Sequence, residues 1–267
     1  MKLGILGLGK MGEAVVEGLR RSDDAKNFNI EGSTRSPESA QEAEKTLHIR
    51  CHTDNVKLAQ SVEVLVLSVK PHQAEAVLRQ ISKKLTAKQT LISVCASITT
   101  EQLSEWSGGK IAVIRAMPNT PCLIGEGMTV FCAGPRATKA HTEIAERIFS
   151  KVGKTAVVEE DLMDGVTGLS GCGPAYIYLV IEALSEAGVK VGLPRKTATL
   201  LAAQTLLGAA KMVLERGEHP AYLKDEVTTP AGCTIDGLMA LEEGKLRVTL
   251  IKAVLAAAKR SKSLRGA

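Results

Sequence analysis

Lys2-Leu3-Gly4-Ile5-Leu6-Gly7-Leu8-Gly9-Lys10-Met11-Gly12 opens the chain with a short apolar run that breaks into a GxGxxG turn. Apolar residues then recur at helical spacing through Met11 to Arg21, so the motif lies between a strand and a helix. In that setting the first glycine permits the tight turn and the second lets the backbone approach a pyrophosphate. The third lets helix and strand pack closely, and the helix N-terminus faces the anion. The position of the motif, as much as its pattern, points to a dinucleotide-binding βα unit.

Working outward, β-branched runs alternate with amphipathic stretches as far as Val158. The expected strands are Lys2 to Leu6, Phe28 to Ser33, Val62 to Val69, Thr90 to Cys95, Ile111 to Ala116, Met128 to Cys132 and Thr155 to Val158. Helices are expected over Met11 to Arg21, Pro37 to Leu47 and Gln73 to Lys84, with Pro37 and Pro71 near helix starts. After Asp161 the period becomes three to four residues, through Tyr176 to Val189, Lys196 to Leu214, Ile235 to Leu241 and Leu246 to Ala258. The expected fold class is α/β: a Rossmann-type, mostly parallel sheet domain over residues 1–160, then an all-helical dimerisation domain over residues 161–267. Leu200 to Ala203 and Leu206 to Ala210 carry apolar side chains round most of their helix, more surface than this half can hide alone. A homo-oligomer follows, with the helical half making the interface.

Composition removes other classes. Hydrophobic residues are 45% and charged residues 24%, ordinary for a folded soluble chain and unlike a disordered one. Aromatics are only 3%, too few to stack on bases, and the net charge of +5 is spread along the chain except at Lys259, Arg260, Lys262 and Arg265. That cluster suits the end of a helix, so no nucleic-acid partner is expected. Six cysteines without paired spacing, and no secretory segment, fit a reduced cytoplasmic protein. The most apolar stretch, Ala198 to Ala210, is interrupted by Gln204 and Thr205 and reads as too short for a bilayer, so no membrane is expected. His48 and His52 bracket Cys51 on one expected strand, without a second ligand group, so no metal is expected.

Cofactor choice is read where the second strand ends, at Ser33-Thr34-Arg35. Glu31 sits two residues too early to meet a ribose, so hydroxyls and a guanidinium should do so, and Arg35 favours NADP over NAD. Small and polar residues at two further strand ends, Ser68-Val69-Lys70-Pro71 and Cys95-Ala96-Ser97, suit close approach by a nicotinamide nucleotide.

The chemistry concentrates in Lys224 to Asp236. Pro230 and Gly232 force a turn and Ile235, Leu238 and Met239 begin a helical stripe, placing Gly232, Cys233 and Thr234 at a helix N-terminus. Their N–H groups would receive a carboxylate, with the Thr234 hydroxyl at the mouth beside a substrate nitrogen. The same spacing also suits Thr234 as an ordinary N-cap.

This segment resembles the signature of pyrroline-5-carboxylate reductases. The rest of the chain agrees in order: Gly7 to Gly12, Ser68 to Pro71, Cys95 to Ile98, Arg115 to Pro121, and Ser170 to Tyr176. The resemblance implies reduction of 1-pyrroline-5-carboxylate to L-proline by hydride transfer from NADPH, with NADH as a second donor, in intertwined dimers often assembled as decamers of five dimers. It places cofactor contacts at Leu6, Gly7, Leu8, Gly9, Lys10, Met11, Asn55, Ser68 to Pro71 and Cys95 to Ser97. It gives Thr234 the role of proton donor and matches Thr229 to a neighbouring hydroxyl. Thr229 stands where the family usually has serine, Ala231 where it has glycine, Cys233 where it has a small residue or threonine, and Cys172 where it has serine. Some relatives carry an asparagine at Glu226, which is left out of the site. Two rivals remain: a related NADP-dependent reductase of another cyclic imine or a small 3-hydroxy acid, and a nucleotide-sensing module. The first would need a catalytic lysine, yet Lys190, Lys196 and Lys211 lie beside no matching glycine-rich motif. The intact loop from Thr228 to Thr234 argues against the second.

Overall fold

The computed structural model describes residues 1–264, so the expectation for Arg265 lies outside the described residues. Two compact units are present: residues 1–172 together with the C-terminal stretch from Leu255, and residues 173–254. The compact units divide after Cys172, with Met163 buried against β-sheet residues Val130 and Cys132, whereas the expected boundary lies at 160/161.

In the first unit β1 (Lys2–Leu6) leads to α1 (Lys10–Arg21), and β2 (Asn29–Ser33) to α2 (Pro37–Leu47). Then follow β3 (Arg50–His52), α3 (Asn55–Ser61), β4 (Val64–Leu67), α4 (Pro71–Ile81), β5 (Thr90–Ser93) and α5 (Thr100–Trp106). β6 (Ala112–Met117), β7 (Gly127–Ala133), α6 (Lys139–Phe149) and β8 (Gly153–Val157) complete a sheet of order β3-β2-β1-β4-β5-β6-β7-β8. β7 pairs antiparallel with β6 and β8 runs parallel to β7, so the last two strands oppose the first six. The strand order reverses at β1, which lies between β2 and β4 with Leu6 beside Ser33 and Leu67. A ligand of such a sheet lies outside the carboxyl ends at that reversal.

Alternate strand residues face opposite layers. Leu3, Ile5, Val64, Val66, Ile92 and Ile114 pack with α1, α2 and α6 on one side. Leu6, Leu65, Leu67, Leu91 and Val113 pack with α3, α4 and α5 on the other. Buried on both faces, these strands read as continuous apolar runs in sequence.

α3, α5 and α6 are not among the helices named from the sequence; α3 and α5 are only seven residues long, whereas α6 buries the stripe Ala145, Ile148 and Phe149, and all three have marked end groups. Asp54 accepts from the N–H groups of Val56 and Lys57, Thr99 and Gln102 cap each other's backbone, and Thr138 pairs in the same way with His141. The short strand expected from His48 begins at Arg50. His48 instead closes α2 with φ +50, so it shares no strand face with His52.

After α7 (Met163–Val166) the chain widens into a single π-turn over Thr167–Gly171, closed by the Cys172 N–H on the Thr167 carbonyl at 2.9 Å. The second unit then holds α8 (Gly173–Lys190), α9 (Arg195–Arg216), α10 (Pro220–Glu226), α11 (Cys233–Glu243) and the start of α12 (Leu246–Ser263). α8 and α9 pack so closely that a Cβ on Gly188 would lie 2.7 Å from the Ala198 Cβ. α9 runs 22 residues and is long and apolar enough to cross a bilayer by length and composition, which corrects the expectation of too short a stretch. The helix continues past both ends of the apolar run, and only 11% of its most apolar window is buried in the single chain. Tyr178, Leu179, Leu200 and Leu214 are likewise exposed.

Candidate active site

The GxGxxG turn has the shape its sequence requires. Gly7 lies at φ +92, and a Cβ there would stand 2.7 Å from Val69 Cγ1. A Cβ on Gly12 would meet the Gly7 carbonyl at 2.6 Å, whereas nothing lies within 4 Å of one on Gly9. Gly9 is the extended N-cap of α1 and supplies no side-chain cap, so the helix presents bare N–H groups to open space above Lys10 and Met11. Beneath the turn the Ser68 hydroxyl is buried without a partner among the described residues. An open glycine cradle at a helix N-terminus, with an unsatisfied hydroxyl beside it, fits a dinucleotide pyrophosphate.

The other expected cofactor residues line the same ends of the strands. Ser33 ends β2 and donates to Asn55 Oδ1 at 2.8 Å, while the Asn55 amide donates to Gln80 Oε1 at 3.0 Å. The Thr34 N–H donates to the His52 carbonyl at 3.0 Å, and its hydroxyl to the Ser36 carbonyl at 3.1 Å. Arg35 is exposed and enters no ion pair among the described residues, leaving its guanidinium for a ligand. Glu31 is turned away: its Oε2 meets His52 Nε2 at 2.7 Å and accepts from the Ser61 hydroxyl at 3.2 Å. Burial raises its carboxyl, yet the bonds from His52 and Ser61 leave it below the ordinary value. Val69, Lys70 and Pro71 turn from β4 into α4, with Lys70 as N-cap. Cys95, Ala96 and Ser97 follow β5, and the Cys95 thiol points at the Val69 carbonyl at 3.3 Å. Burial pushes that thiol up to about 11.

No group of three His, Cys, Asp or Glu side chains gathers among the described residues. Three of the five histidines have local partners: His52 takes Glu31, His141 caps α6, and His219 accepts from the Ala221 N–H at 3.2 Å.

In the second unit, α11 begins at Cys233 with Gly232 as its N-cap. The Gly232 N–H donates to the Thr229 carbonyl at 3.0 Å, which corrects the expectation of three free N–H groups. The open donors belong to the first helical turn, from Cys233 and Thr234 onward. Thr234 is the second helical residue and not the N-cap, so capping does not account for it. Ala231 holds φ +57, and a Cβ on Gly232 would lie 2.5 Å from Thr229 Oγ1. Glu226, just before this loop, is held by Arg216 through bonds of 2.6 and 2.9 Å, which keep its carboxyl below the usual range. Its role is to hold the end of α10 against α9.

Two polar clusters escaped the sequence reading. Thr100 donates from N and Oγ1 to Glu160 at 2.7 and 2.5 Å, and buried Arg115 reaches the same carboxylate at 3.3 Å. Asn119 donates to the Ser170 carbonyl at 3.3 Å and accepts from the Met128 N–H at 2.8 Å, joining two of the motifs. An arginine inside the apolar run Ile111 to Met117 was the one available signal.

Comparison with known proteins identifies the family. Residues 160–264 match the family model described as pyrroline-5-carboxylate reductase dimerisation, and residues 2–97 match one described as NADP oxidoreductase, coenzyme F420-dependent. A pyrroline-5-carboxylate reductase of Arabidopsis thaliana is 41% identical over 98% of this chain and 95% of its own. The chain belongs to the pyrroline-5-carboxylate reductase family. Among solved structures, a reductase of this family from Coxiella burnetii matches with a TM-score of 0.91 at 36% identity, covering 98% of this chain and 97% of that one. A pyrroline carboxylate reductase of Plasmodium falciparum, solved with NADP bound, matches with 0.87 at 34%, covering 99% and 98%. The dimerisation match takes in the whole second unit, in keeping with the exposed apolar faces of α8 and α9.

Proposed function

We propose that this chain reduces 1-pyrroline-5-carboxylate to L-proline with a nicotinamide cofactor, NADPH in preference to NADH. The observation that carries the reading is the first turn of α11, where open N–H groups and the Thr234 hydroxyl stand together in a chain belonging to this family. NADPH supplies the hydride that adds to the imine carbon. The N–H groups of Cys233 and Thr234 bind the substrate carboxylate, assisted by the positive end of the helix. Thr229 and Gly232 form the turn that aims these donors, so most of their contribution is orientation. Thr234 stands by the ring nitrogen, which gains the proton as the C=N bond becomes a single bond. Its hydroxyl gives or stabilises that proton, a role worth about 10²–10⁴ in rate for a true general acid.

Leu6 to Met11 would hold the pyrophosphate, Ser33, Thr34, Arg35 and Asn55 the adenosine ribose and its 2′-phosphate, and Ser68 to Pro71 with Cys95 to Ser97 the nicotinamide end. The exposed, unpaired Arg35 supports the NADPH preference. The exposed apolar helices support a homodimer built through the second unit, with a decamer of five dimers as the larger assembly. Six free thiols support a reducing compartment, the cytoplasm. The test is the fall in NADPH absorbance with purified protein and pyrroline-5-carboxylate, beside NADH and a blank without substrate. Turnover with proline as product upholds the proposal, and cofactor binding without turnover ends the substrate assignment.

A further inference from the structure

Ser97 lies at φ +61, a left-handed backbone that a residue with a Cβ keeps only where its surroundings hold it. Its hydroxyl lies 3.5 Å from that of Ser261, in the last turn of α12, and Ser261 donates to Asp164 Oδ1 at 2.8 Å. All three residues belong to the first unit, with Ser261 4% and Asp164 7% exposed. Ser261 gives its single hydroxyl proton to Asp164, so across the long 3.5 Å contact Ser97 is the side that can donate to Ser261. The order is therefore Ser97 to Ser261 to Asp164, with the Ser97 lone pairs left to accept from a ligand.

Three residues on, Thr100 is fastened to Glu160 and through it to Arg115, which is 2% exposed. Polar bonds thus tie both ends of the stretch from Ser97 to Thr100 to the segment 160–164, at Ser97 by way of Ser261. Ser261 is the one buried residue among positions 259–264. A serine is a poorer helix former than alanine and buries less apolar surface than leucine, so helix stability does not account for it.

We infer, on the reading that this loop receives the nicotinamide end of the cofactor, that Ser261 is a positioning residue. It fixes the Ser97 loop from the C-terminal helix and thereby sets cofactor affinity.

The experiment compares the full-length wild type with Ser261→Ala and Ser261→Thr. It measures dissociation constants for NADPH and NADH by cofactor fluorescence, KM values for cofactor and imine, and Tm. Ser261→Ala should weaken NADPH and NADH alike by about fivefold, the factor of one ordinary hydrogen bond. KM for the imine should stay within about twofold, and Ser261→Thr should restore cofactor affinity. An Arg35→Ser control should weaken NADPH alone. Unchanged cofactor affinity in Ser261→Ala overturns the inference, and so does a lowered Tm without weaker binding, which makes the residue structural only. If Ser261→Ala does not fold, Ser261→Cys, of similar size and a weak donor, carries the same comparison. A wild type that binds NADPH without turning over pyrroline-5-carboxylate defeats the proposed reaction while leaving this comparison decisive. A wild type that binds neither cofactor defeats both.

Discussion

The backbone N–H of Gly232 donates to the carbonyl of Thr229 at 3.0 Å, and a Cβ at Gly232 would stand 2.5 Å from the Thr229 hydroxyl. The turn that opens α11 is therefore set by the fit of these two residues. Gly232→Ala should raise KM for the imine about tenfold or more, because the first helical N–H groups are re-aimed. Thr229→Ala also removes a hydroxyl, so the double variant separates the effects. If the residues act as a unit, its loss is smaller than the sum of the single losses. Additive losses in a double-mutant cycle of kcat/KM would show that the contact has no role.

Ala231 occupies the left-handed region at φ +57, a conformation that favours glycine. That conformation costs an alanine about 1–2 kcal/mol, and alanine returns about 0.4–1 kcal/mol by restricting the unfolded chain. Ala231→Gly should therefore stabilise the protein by about 0.5 kcal/mol. Urea unfolding reads this directly, and a lower midpoint at constant slope would mean that the loop is not strained.

Thr234 is the second residue of α11, with Gly232 and not Thr234 as the cap. Thr234→Ala should lower kcat about 10²-fold with Tm little changed, and Thr234→Ser should keep most activity. A variant that loses stability and keeps its kcat would return Thr234 to a structural role.

The sheet was legible because strands buried on both faces are apolar throughout and separated by glycine turns and helices. Pro37, Pro71 and Gly7 marked turns that the structure keeps. α3 and α5 were hard to read because each is only seven residues long and is marked by Asp54 or the Thr99–Gln102 pair at its start, whereas the stripe of Ile144, Ala145, Ile148 and Phe149 in α6 was there to be read. At the site, residue types and the helix start were readable from Pro230, Gly232 and the stripe after them. The spent N–H of Gly232 was not, because it depends on the path of the Thr229 carbonyl. Nor were Ser97–Ser261 and Thr100–Glu160, which join residues 164 and 60 positions apart. No local pattern encodes such pairs.

Arg35 is exposed at the end of β2, beside Thr34 and Ser36, while Glu31 is engaged by His52 and Ser61. On the proposed reading, a 2′-phosphate would give the guanidinium a charged partner there. Arg35→Ser should raise KM for NADPH about tenfold and leave KM for NADH unchanged, the size of one lost charge-assisted bond. Equal effects on both cofactors would place Arg35 away from the 2′-phosphate.

Cys233 is exposed at the first position of α11, whereas Cys95 is buried and its thiol is pushed up to about 11 by burial, against the lowering bonds from Ser93 and Val69. At pH 8 a thiol of that kind is thiolate in only about one molecule in 10³, and the thiolate is the form that reacts. Iodoacetamide should therefore label Cys233 well before Cys95, as read by mass spectrometry of the digested protein. If the first turn of α11 binds the substrate carboxylate, saturating proline covers it and slows labelling at Cys233. Labelling of Cys233 at the same rate with and without proline would place the carboxylate elsewhere.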